Sequence, residues 1–190
     1  MKKVQEVLVI SDRDGTLIEN IEFFGRDADW KTQLRLNYEV VRFLNFIQKK
    51  YKTTTVVVTN QSGVARGYFT LKIVDGINQT LEKMLSKSGV KIDNWQYCPD
   101  VDATYAKKKQ RLQLIKKYIK DKTVRKPSPQ MVFQALVKLG KRISEYKRVL
   151  VVGDRDEDRK LAVNLQAQFI DIRGKDSRKM ISDFYAVINF

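Results

Sequence analysis

Short apolar runs alternate along this chain with longer segments whose apolar residues lie three or four positions apart. Short runs rich in β-branched residues predict strands, and the longer spacing predicts helices. The runs at 56–58 and 149–152 are continuously apolar, which is typical of strands covered on both faces. The pattern therefore predicts an α/β fold with a central parallel sheet. Its predicted strands are residues 7–11, 55–59, 95–98, 149–153 and 168–172.

Helices are predicted between most of these strands. Between Thr70 and Gly89 the apolar residues recur at helical spacing, with Thr70 as the N-cap and Gly89 as the C-terminal stop. Ser128 and Pro129 open a second helix, which Gly140 would end. A third helix is predicted over residues 38–50.

The composition predicts one domain over residues 1–190. No long stretch rich in Gly, Ser or Pro divides the chain, and 190 residues are enough for one substantial core. The start Met1-Lys2-Lys3 is basic like a signal peptide, but the apolar run that follows it is four residues long, which is too short. No stretch reaches the length of a transmembrane helix. We therefore expect a cytoplasmic protein.

The residue types that the chain lacks restrict its chemistry. It has no histidine and one cysteine, Cys98. This excludes Ser-His-Asp triads, His-ligated metal sites, internal disulfide frameworks and multi-cysteine zinc sites. Catalysis therefore falls to carboxylates, lysine, hydroxyl groups or a bound metal.

Four groups of polar residues lie at the ends of predicted strands or just ahead of a predicted helix. In an open α/β sheet, ligands bind in the crevice beyond the carboxyl ends of the strands. Asp12 and Asp14 would share one face of a continuing strand, and such a pair needs a cation or a proton. Each group alone also fits an ordinary turn or helix start, but four in corresponding positions indicate an active site. The groups are residues 12–16, 59–63, 125–127 and 153–158.

In this order the four groups resemble the motifs of the haloacid dehalogenase superfamily of phosphotransferases, over nearly the whole chain. The run Asp-Arg-Asp-Gly-Thr-Leu at 12–17, the run 59–69 and the Arg-Lys-Pro at 125–127 are similar to one branch of it. That branch contains D-glycero-D-manno-heptose 1,7-bisphosphate phosphatase and histidinol-phosphate phosphatase. The resemblance implies a three-layer Rossmannoid fold. Only 47 positions separate Asp12 from Thr59, which leaves no space there for a large cap domain.

The resemblance also implies roles for single residues. Asp12 would be the nucleophile that forms an aspartyl-phosphate, and Asp14 would be the general acid and base. Mg²⁺ would be held by Asp12, the backbone carbonyl of Asp14 and Asp154, with Asp158 as a support behind them. The phosphate would be held by Thr59, Asn60 and Lys126, and the remainder of the substrate by Arg66 and Arg125.

Residues 100–122 depart from that branch, which commonly carries a Cys and His zinc loop there. Tyr97-Cys98-Pro99 is present but the other ligands are not, so no structural zinc is expected. Instead, residues 105–122 hold eight basic residues against one acidic, a net +7 out of +15 for the chain. Leu112, Ile115 and Ile119 lie at helical spacing. We call residues 100–122 the basic insert. It is predicted either as an amphipathic helix with a solvated face or as a lip beside the active site that binds substrate or a partner.

Three functions stay open on the sequence. The favoured one is a Mg²⁺-dependent phosphomonoesterase acting on a small phosphorylated metabolite such as a sugar (bis)phosphate. The second is a 3′-phosphatase on nucleic-acid ends, because the Thr-Asn-Gln at 59–61, followed by Arg66-Gly67, also resembles the phosphatase domain of polynucleotide kinase phosphatases. The third is a non-catalytic basic binding module, against which the intact motif set argues. No membrane partner is expected.

Overall fold

A computed structural model describes residues 6–188 of the chain, in which strands and helices alternate. Two short turns of 3₁₀-helix lie at Lys116–Tyr118 and Ile143–Glu145. The strands are β1 (Glu6–Ser11), β2 (Lys52–Asn60), β3 (Asn94–Cys98), β4 (Val101–Asp102), β5 (Ile119–Lys120), β6 (Arg148–Gly153) and β7 (Gln168–Asp171). The helices are α1 (Trp30–Gln33), α2 (Tyr38–Lys50), α3 (Leu71–Lys87), α4 (Ala103–Lys108), α5 (Gln130–Lys138), α6 (Asp156–Asn164) and α7 (Ser177–Ile188).

Five parallel strands form the central sheet, in the order β3-β2-β1-β6-β7. They are the five strands that the apolar runs predicted, although β2 begins three residues earlier than expected. In the register of β1, Val9 lies opposite Thr55 of β2 and Leu150 of β6. The prediction of an α/β fold with a central parallel sheet is therefore confirmed.

Helices cover both faces of this sheet, which gives three layers. The side chains of β1 alternate between the faces, as a strand requires. Val7 and Val9 belong to an apolar core shared with α2, α3 and α7. Leu8 and Ile10 belong to a second core shared with α5 and α6. Because β1 is central and buried on both sides, the residues that follow it have a rigid support.

The three predicted helices are present. α2 has the predicted bounds, and Thr70 caps α3 by accepting a hydrogen bond from the backbone N–H of Ile73. Gly89 follows α3 with a φ of +75°, in the left-handed region that glycine tolerates. α5 begins at Gln130, two residues after the predicted start. Among the helices within residues 6–188, none is long and apolar enough to cross a bilayer.

The prediction that the apolar residues of the basic insert belong to one amphipathic helix is wrong. Helix α4 ends at Lys108, and the chain later forms β5, which pairs with β4 in a separate two-stranded parallel sheet. The reason is tertiary contact. The backbone N–H of Ile115 donates to the carbonyl of Ala65 at 2.8 Å, and Tyr118 packs against an apolar cluster around Val64. These contacts with the loop after β2 override the local helical spacing.

Candidate active site

The carboxyl ends of three neighbouring strands bring the predicted residues together. Asp12 follows β1, Thr59 lies at the end of β2, and Asp154 follows β6. Since β2 and β6 flank β1 in the sheet, these residues share one edge. A cavity of about 470 Å³ opens there. Polar and charged residues around it include Asp14, Asn20, Glu22, Asn60, Gln61, Ser62, Arg66, Arg125 and Arg155.

Lys126 lies between two carboxylates at the base of this edge. Its Nζ is 2.7 Å from Asp12 Oδ1 and 2.7 Å from Asp158 Oδ1, and all three side chains are almost fully buried. Burial works to lower the pKa of Lys126, but the two carboxylates outweigh it and the pKa is raised. Burial also raises the pKa of Asp12 to about 7, against the attraction of Lys126. The lysine is therefore a positive charge held beside a carboxylate that is shielded from solvent.

Three carboxylates form a cluster that could hold a cation. Oxygen atoms of Asp12, Asp154 and Asp158 all lie within 4.8 Å of one another. Asp158 has both oxygens engaged, because Oδ1 accepts from Lys126 and Oδ2 accepts from the backbone N–H of Arg155. Burial raises the pKa of Asp154. Asp12 and Asp154 are thus the carboxylates with capacity for a metal, and carboxylate oxygen is a ligand that Mg²⁺ prefers.

Gly15 allows the turn after β1 to come close to Asp154, which follows β6. A Cβ atom at position 15 would lie 2.4 Å from Asp154 Oδ2, and the φ of Gly15 is +85°. Thr16 Oγ1 donates to Asp154 Oδ1 at 3.3 Å from the same turn. The Asp-Gly-Thr sequence therefore turns the chain and also positions the carboxylate of Asp154.

The carboxylate of Asp14 is fixed by a buried arginine. Arg13, which is fully buried, donates through Nε to Oδ1 at 2.9 Å and through Nη2 to Oδ2 at 3.0 Å. Asn78 of α3 accepts from Arg13 Nη1, and Gln61 donates to Asp14 Oδ2 at 2.6 Å. Arg13 and Asn78 had no assigned role in the sequence, and Gln61 was expected only as part of the polar group 59–63. Arg13 could have been found by its place between the two aspartates, but Asn78 had no signal in the sequence.

The two residues expected at the second motif have different surroundings. Thr59 is buried, and its hydroxyl oxygen accepts from Gln61 Nε2 at 2.9 Å. Asn60 holds the third motif, because its Oδ1 accepts from the backbone N–H of Lys126 at 2.9 Å and its Nδ2 donates to Glu157 Oε1 at 2.9 Å. Asn60 therefore fixes the chain at Lys126, and its contact with phosphate stays a prediction.

Arg66 and Arg125 both line the cavity, as their expected contact with substrate requires. Each carries a buried nitrogen, Nε in Arg66 and Nη1 in Arg125, that has no hydrogen-bond partner among the described residues. An unpaired buried donor is costly, so a ligand that accepts from it would bind favourably. Arg155, which the sequence analysis did not assign to the substrate, lines the same cavity.

Comparison with known proteins gives the family of the chain. The model of the family described as "Polynucleotide kinase 3 phosphatase" matches residues 8–173. The D-glycero-beta-D-manno-heptose-1,7-bisphosphate 7-phosphatase of Pasteurella multocida is 32% identical over 151 residues, which cover 79% of this chain and 72% of that protein. The four motif positions at the sheet edge lie within the span of the family match.

Two solved structures share the fold. A HAD-like phosphatase from Mesorhizobium loti superposes with a TM-score of 0.76 at 23% identity, covering 98% of this chain and 88% of that one. The D,D-heptose 1,7-bisphosphate phosphatase from B. bronchiseptica, complexed with magnesium and phosphate, superposes with a TM-score of 0.66 at 22% identity, covering 92% and 85%. Both likenesses support the three-layer architecture described above.

Proposed function

We propose a specific reaction for this chain, which belongs to the polynucleotide kinase 3 phosphatase family of haloacid dehalogenase phosphatases and is therefore a phosphomonoesterase. The reaction is Mg²⁺-dependent hydrolysis of a phosphomonoester through an aspartyl-phosphate on Asp12. The observation that carries the proposal is the buried Asp12 beside Lys126 and Asp154, at the carboxyl edge of the sheet. A carboxylate in this position has a cation on one side and a metal ligand on the other.

The donor set fits Mg²⁺, because it consists of hard oxygen atoms. Asp12 and Asp154 would hold the ion with their side chains, and Asp14 with its backbone carbonyl. When bound, Mg²⁺ supplies positive charge that lowers the repulsion between the carboxylates and the phosphate. That charge also favours the ionised form of Asp12, which burial disfavours.

In the first step, an oxygen of Asp12 attacks the phosphorus atom of the substrate. A P–O bond to Asp12 forms while the P–O bond to the leaving group breaks. Asp14, which lines the cavity, gives its proton to the leaving oxygen. Its hydrogen bonds to Arg13 and Gln61 fix the direction of this carboxyl group.

In the second step, Asp14 takes a proton from water, whose oxygen attacks the phosphorus of the aspartyl-phosphate. The bond between phosphorus and Asp12 breaks, and inorganic phosphate leaves. Lys126 and Thr59 hold the phosphoryl oxygens in both steps, because phosphoryl transfer depends chiefly on position and on charge stabilisation. Lys126 is already within 2.7 Å of the nucleophile, as this role requires.

The substrate that we favour is a small phosphorylated metabolite of the sugar (bis)phosphate class. The relative from Pasteurella multocida carries the name of a heptose bisphosphatase and covers most of the chain. Arg66 and Arg125 line the cavity, and their unpaired N–H groups would donate to a second anionic group. Nucleic-acid ends with a 3′-phosphate are the second candidate, favoured by the description of the family model.

The proposal is tested by hydrolysis of p-nitrophenyl phosphate and of sugar bisphosphates, with Mg²⁺ and with EDTA. We expect activity only with Mg²⁺, and a phosphoryl group on the acid-quenched protein that hydroxylamine removes, as it does from acyl phosphates. Asp12→Asn should abolish both signals.

Asp75→Asn is the matched control. Asp75 lies on α3, outside the cluster of Asp12, Asp154 and Asp158, and accepts a hydrogen bond from the hydroxyl of Tyr97. It should keep the wild-type turnover. Turnover by Asp12→Asn at the wild-type rate would rule out the covalent mechanism, and activity unaffected by EDTA would rule out the metal.

A further inference from the structure

The basic insert forms one wall of a second cavity beside the active site. This cavity has a volume of about 840 Å³, and we call it the annex. Glu22, Phe23 and Arg66 line both the annex and the active-site cavity, so the two adjoin at these residues. A ligand that fills the active site can therefore extend into the annex.

The wall of the annex is held in place by contacts with the fold. The Ile115 backbone bonds the loop after β2 at Ala65, and β5 pairs with β4. Asp102 caps α4 by accepting from the backbone N–H of Tyr105 at 2.7 Å. The lysines that follow Tyr105 are therefore presented from an anchored segment.

Arg66 stands at the junction of the two cavities in a cage of aromatic rings. Its guanidinium carbon is 4.5 Å from the ring centre of Phe23 and 5.4 Å from that of Tyr105. It also donates to the hydroxyl of Tyr105, while its buried Nε has no partner among the described residues. The rings hold the arginine, and its Nε–H is a donor that a ligand could use.

The charge of the annex exceeds what one phosphate needs. Five basic residues and one acidic residue, Glu22, line it. A phosphate monoester carries a charge of about −1.5 to −2 at neutral pH. The basic residues are Arg66, Lys107, Lys108, Lys109 and Arg111.

We propose that the annex binds an oligoanionic tail of the substrate, that is, two or more phosphate groups in series beyond the phosphate that is hydrolysed. This rests on the proposed phosphatase activity and points to a substrate with more phosphates than a sugar bisphosphate, which carries one beyond the phosphate that is hydrolysed. The tail can come from an oligonucleotide or from a small molecule that carries an oligophosphate. Phosphates in series would neutralise the lysines one after another, and Leu112 and Tyr68 offer apolar contact to the groups between them.

The test compares three phosphomonoesters: p-nitrophenyl phosphate, a tetranucleotide with a 3′-phosphate, and a nucleoside 3′-phosphate that carries a 5′-triphosphate. The variant replaces Lys107, Lys108 and Lys109 with glutamine. All three are exposed, so the fold should not depend on them. The control variant replaces Lys116, Lys117 and Lys120 with glutamine. These lysines are also exposed but do not line the annex. Both variants lose the same charge from the same segment.

We expect the first variant to raise KM at least tenfold for a tailed substrate, to leave its kcat within twofold and to leave p-nitrophenyl phosphate unaffected. The control should change KM less than twofold. The tailed substrate with the larger effect identifies the source of the tail. Equal effects in both variants, or no preference of the wild type for either tailed substrate, would overturn the proposal. Absence of p-nitrophenyl phosphate hydrolysis by the wild type would instead overturn the phosphatase activity.

Discussion

Lys126 is the buried cation between two carboxylates of the site. It is nearly fully buried and contacts Asp12 and Asp158 at 2.7 Å each. A buried ion pair contributes little net stability against an apolar pair of the same size, but removal of one partner leaves an uncompensated charge. Lys126 is thus required for stability because it compensates the buried charges of Asp12 and Asp158.

We predict that Lys126→Met lowers the free energy of unfolding by about 3–5 kcal/mol, because two buried carboxylates lose their cation. The double variant Lys126→Met/Asp158→Asn should recover much of that loss, since one of the two charges is gone. Neither variant should hydrolyse p-nitrophenyl phosphate. Urea denaturation measures the first effect and turnover the second. An active double variant would show that the lysine serves stability alone.

Gly15 permits a comparison between backbone strain and a clash at the site. We predict that Gly15→Ala lowers stability by about 1–2 kcal/mol through its left-handed backbone and also lowers Mg²⁺-dependent turnover at least a hundredfold. The added Cβ would lie 2.4 Å from Asp154 Oδ2 and displace that carboxylate.

Gly140→Ala is the control, because Gly140 has a φ of +65° and no atom within 4 Å of an added Cβ. It should cost similar stability and leave turnover unchanged. Equal activity in the two variants would mean that the approach of residue 15 to Asp154 does not matter for catalysis. Thermal denaturation and p-nitrophenyl phosphate assays separate the two effects.

The carboxylate of Glu39 links helix α2 to the start of helix α7. Glu39 on α2 accepts a hydrogen bond from the backbone N–H of Ser177, the first residue of α7, at 2.7 Å. This bond, together with the neighbouring Arg42, lowers the pKa of Glu39 to about 2. A negative charge at the start of a helix is favourable because the first backbone N–H groups there have no partner within the helix.

A group whose pKa is lowered by folding stabilises the protein above its usual pKa and loses that effect as the pH falls through the folded value. We therefore predict that Glu39→Gln lowers the melting temperature at pH 7, and that the difference from the wild type shrinks between about pH 4.5 and pH 2. Glu82→Gln, at an exposed position of α3, should show no such trend. A difference that stays constant over this range would contradict the assignment.

The molecule as a whole is strongly basic, with a formal net charge of +15, yet three carboxylates lie close together at its site. The excess charge favours the approach of anionic substrates. The carboxylates of Asp12 and Asp154 instead favour a cation at one place. The carboxylates lie at the strand ends, where Lys126 contacts two of them, while much of the excess positive charge lies on the insert.

We predict that Mg²⁺ stabilises the whole molecule, because a ligand that binds only the folded state raises its stability. At a hundredfold excess over its Kd the gain is about 2.7 kcal/mol. Asp154→Asn should remove most of the increase in melting temperature, and K⁺ at equal ionic strength should not reproduce it. The same increase in Asp154→Asn as in the wild type would place the ion elsewhere.

The position of a site residue was predictable where that residue directly follows an apolar run that forms a strand. Asp12 and Asp154 could be placed at one edge because parallel strands end together. The partners of those residues could not be predicted in the same way. Arg13 bonds Asn78, which lies 65 positions further along the chain, and Asn60 bonds Lys126 across 66 positions. Spacing along the chain contains no information about such pairs.

The secondary structure of the basic insert could not be predicted from local spacing either. Its local spacing predicted a helix, but the contact of Ile115 with Ala65 and the pairing of β5 with β4 gave another structure. Its predicted alternative, a lip beside the active site, corresponds in position to the wall of the annex. Whether that wall binds substrate is the question that the lysine variants answer.

The sequence by itself determined the parallel sheet, the order of the four motifs and the acidic and basic residues at the strand ends, because apolar periodicity and strand ends are local properties. Only the tertiary structure decided that Lys126 lies between Asp12 and Asp158, that Arg13 holds Asp14, and that the insert lines a cavity. These depend on distances between segments far apart in the chain, which packing sets and spacing does not.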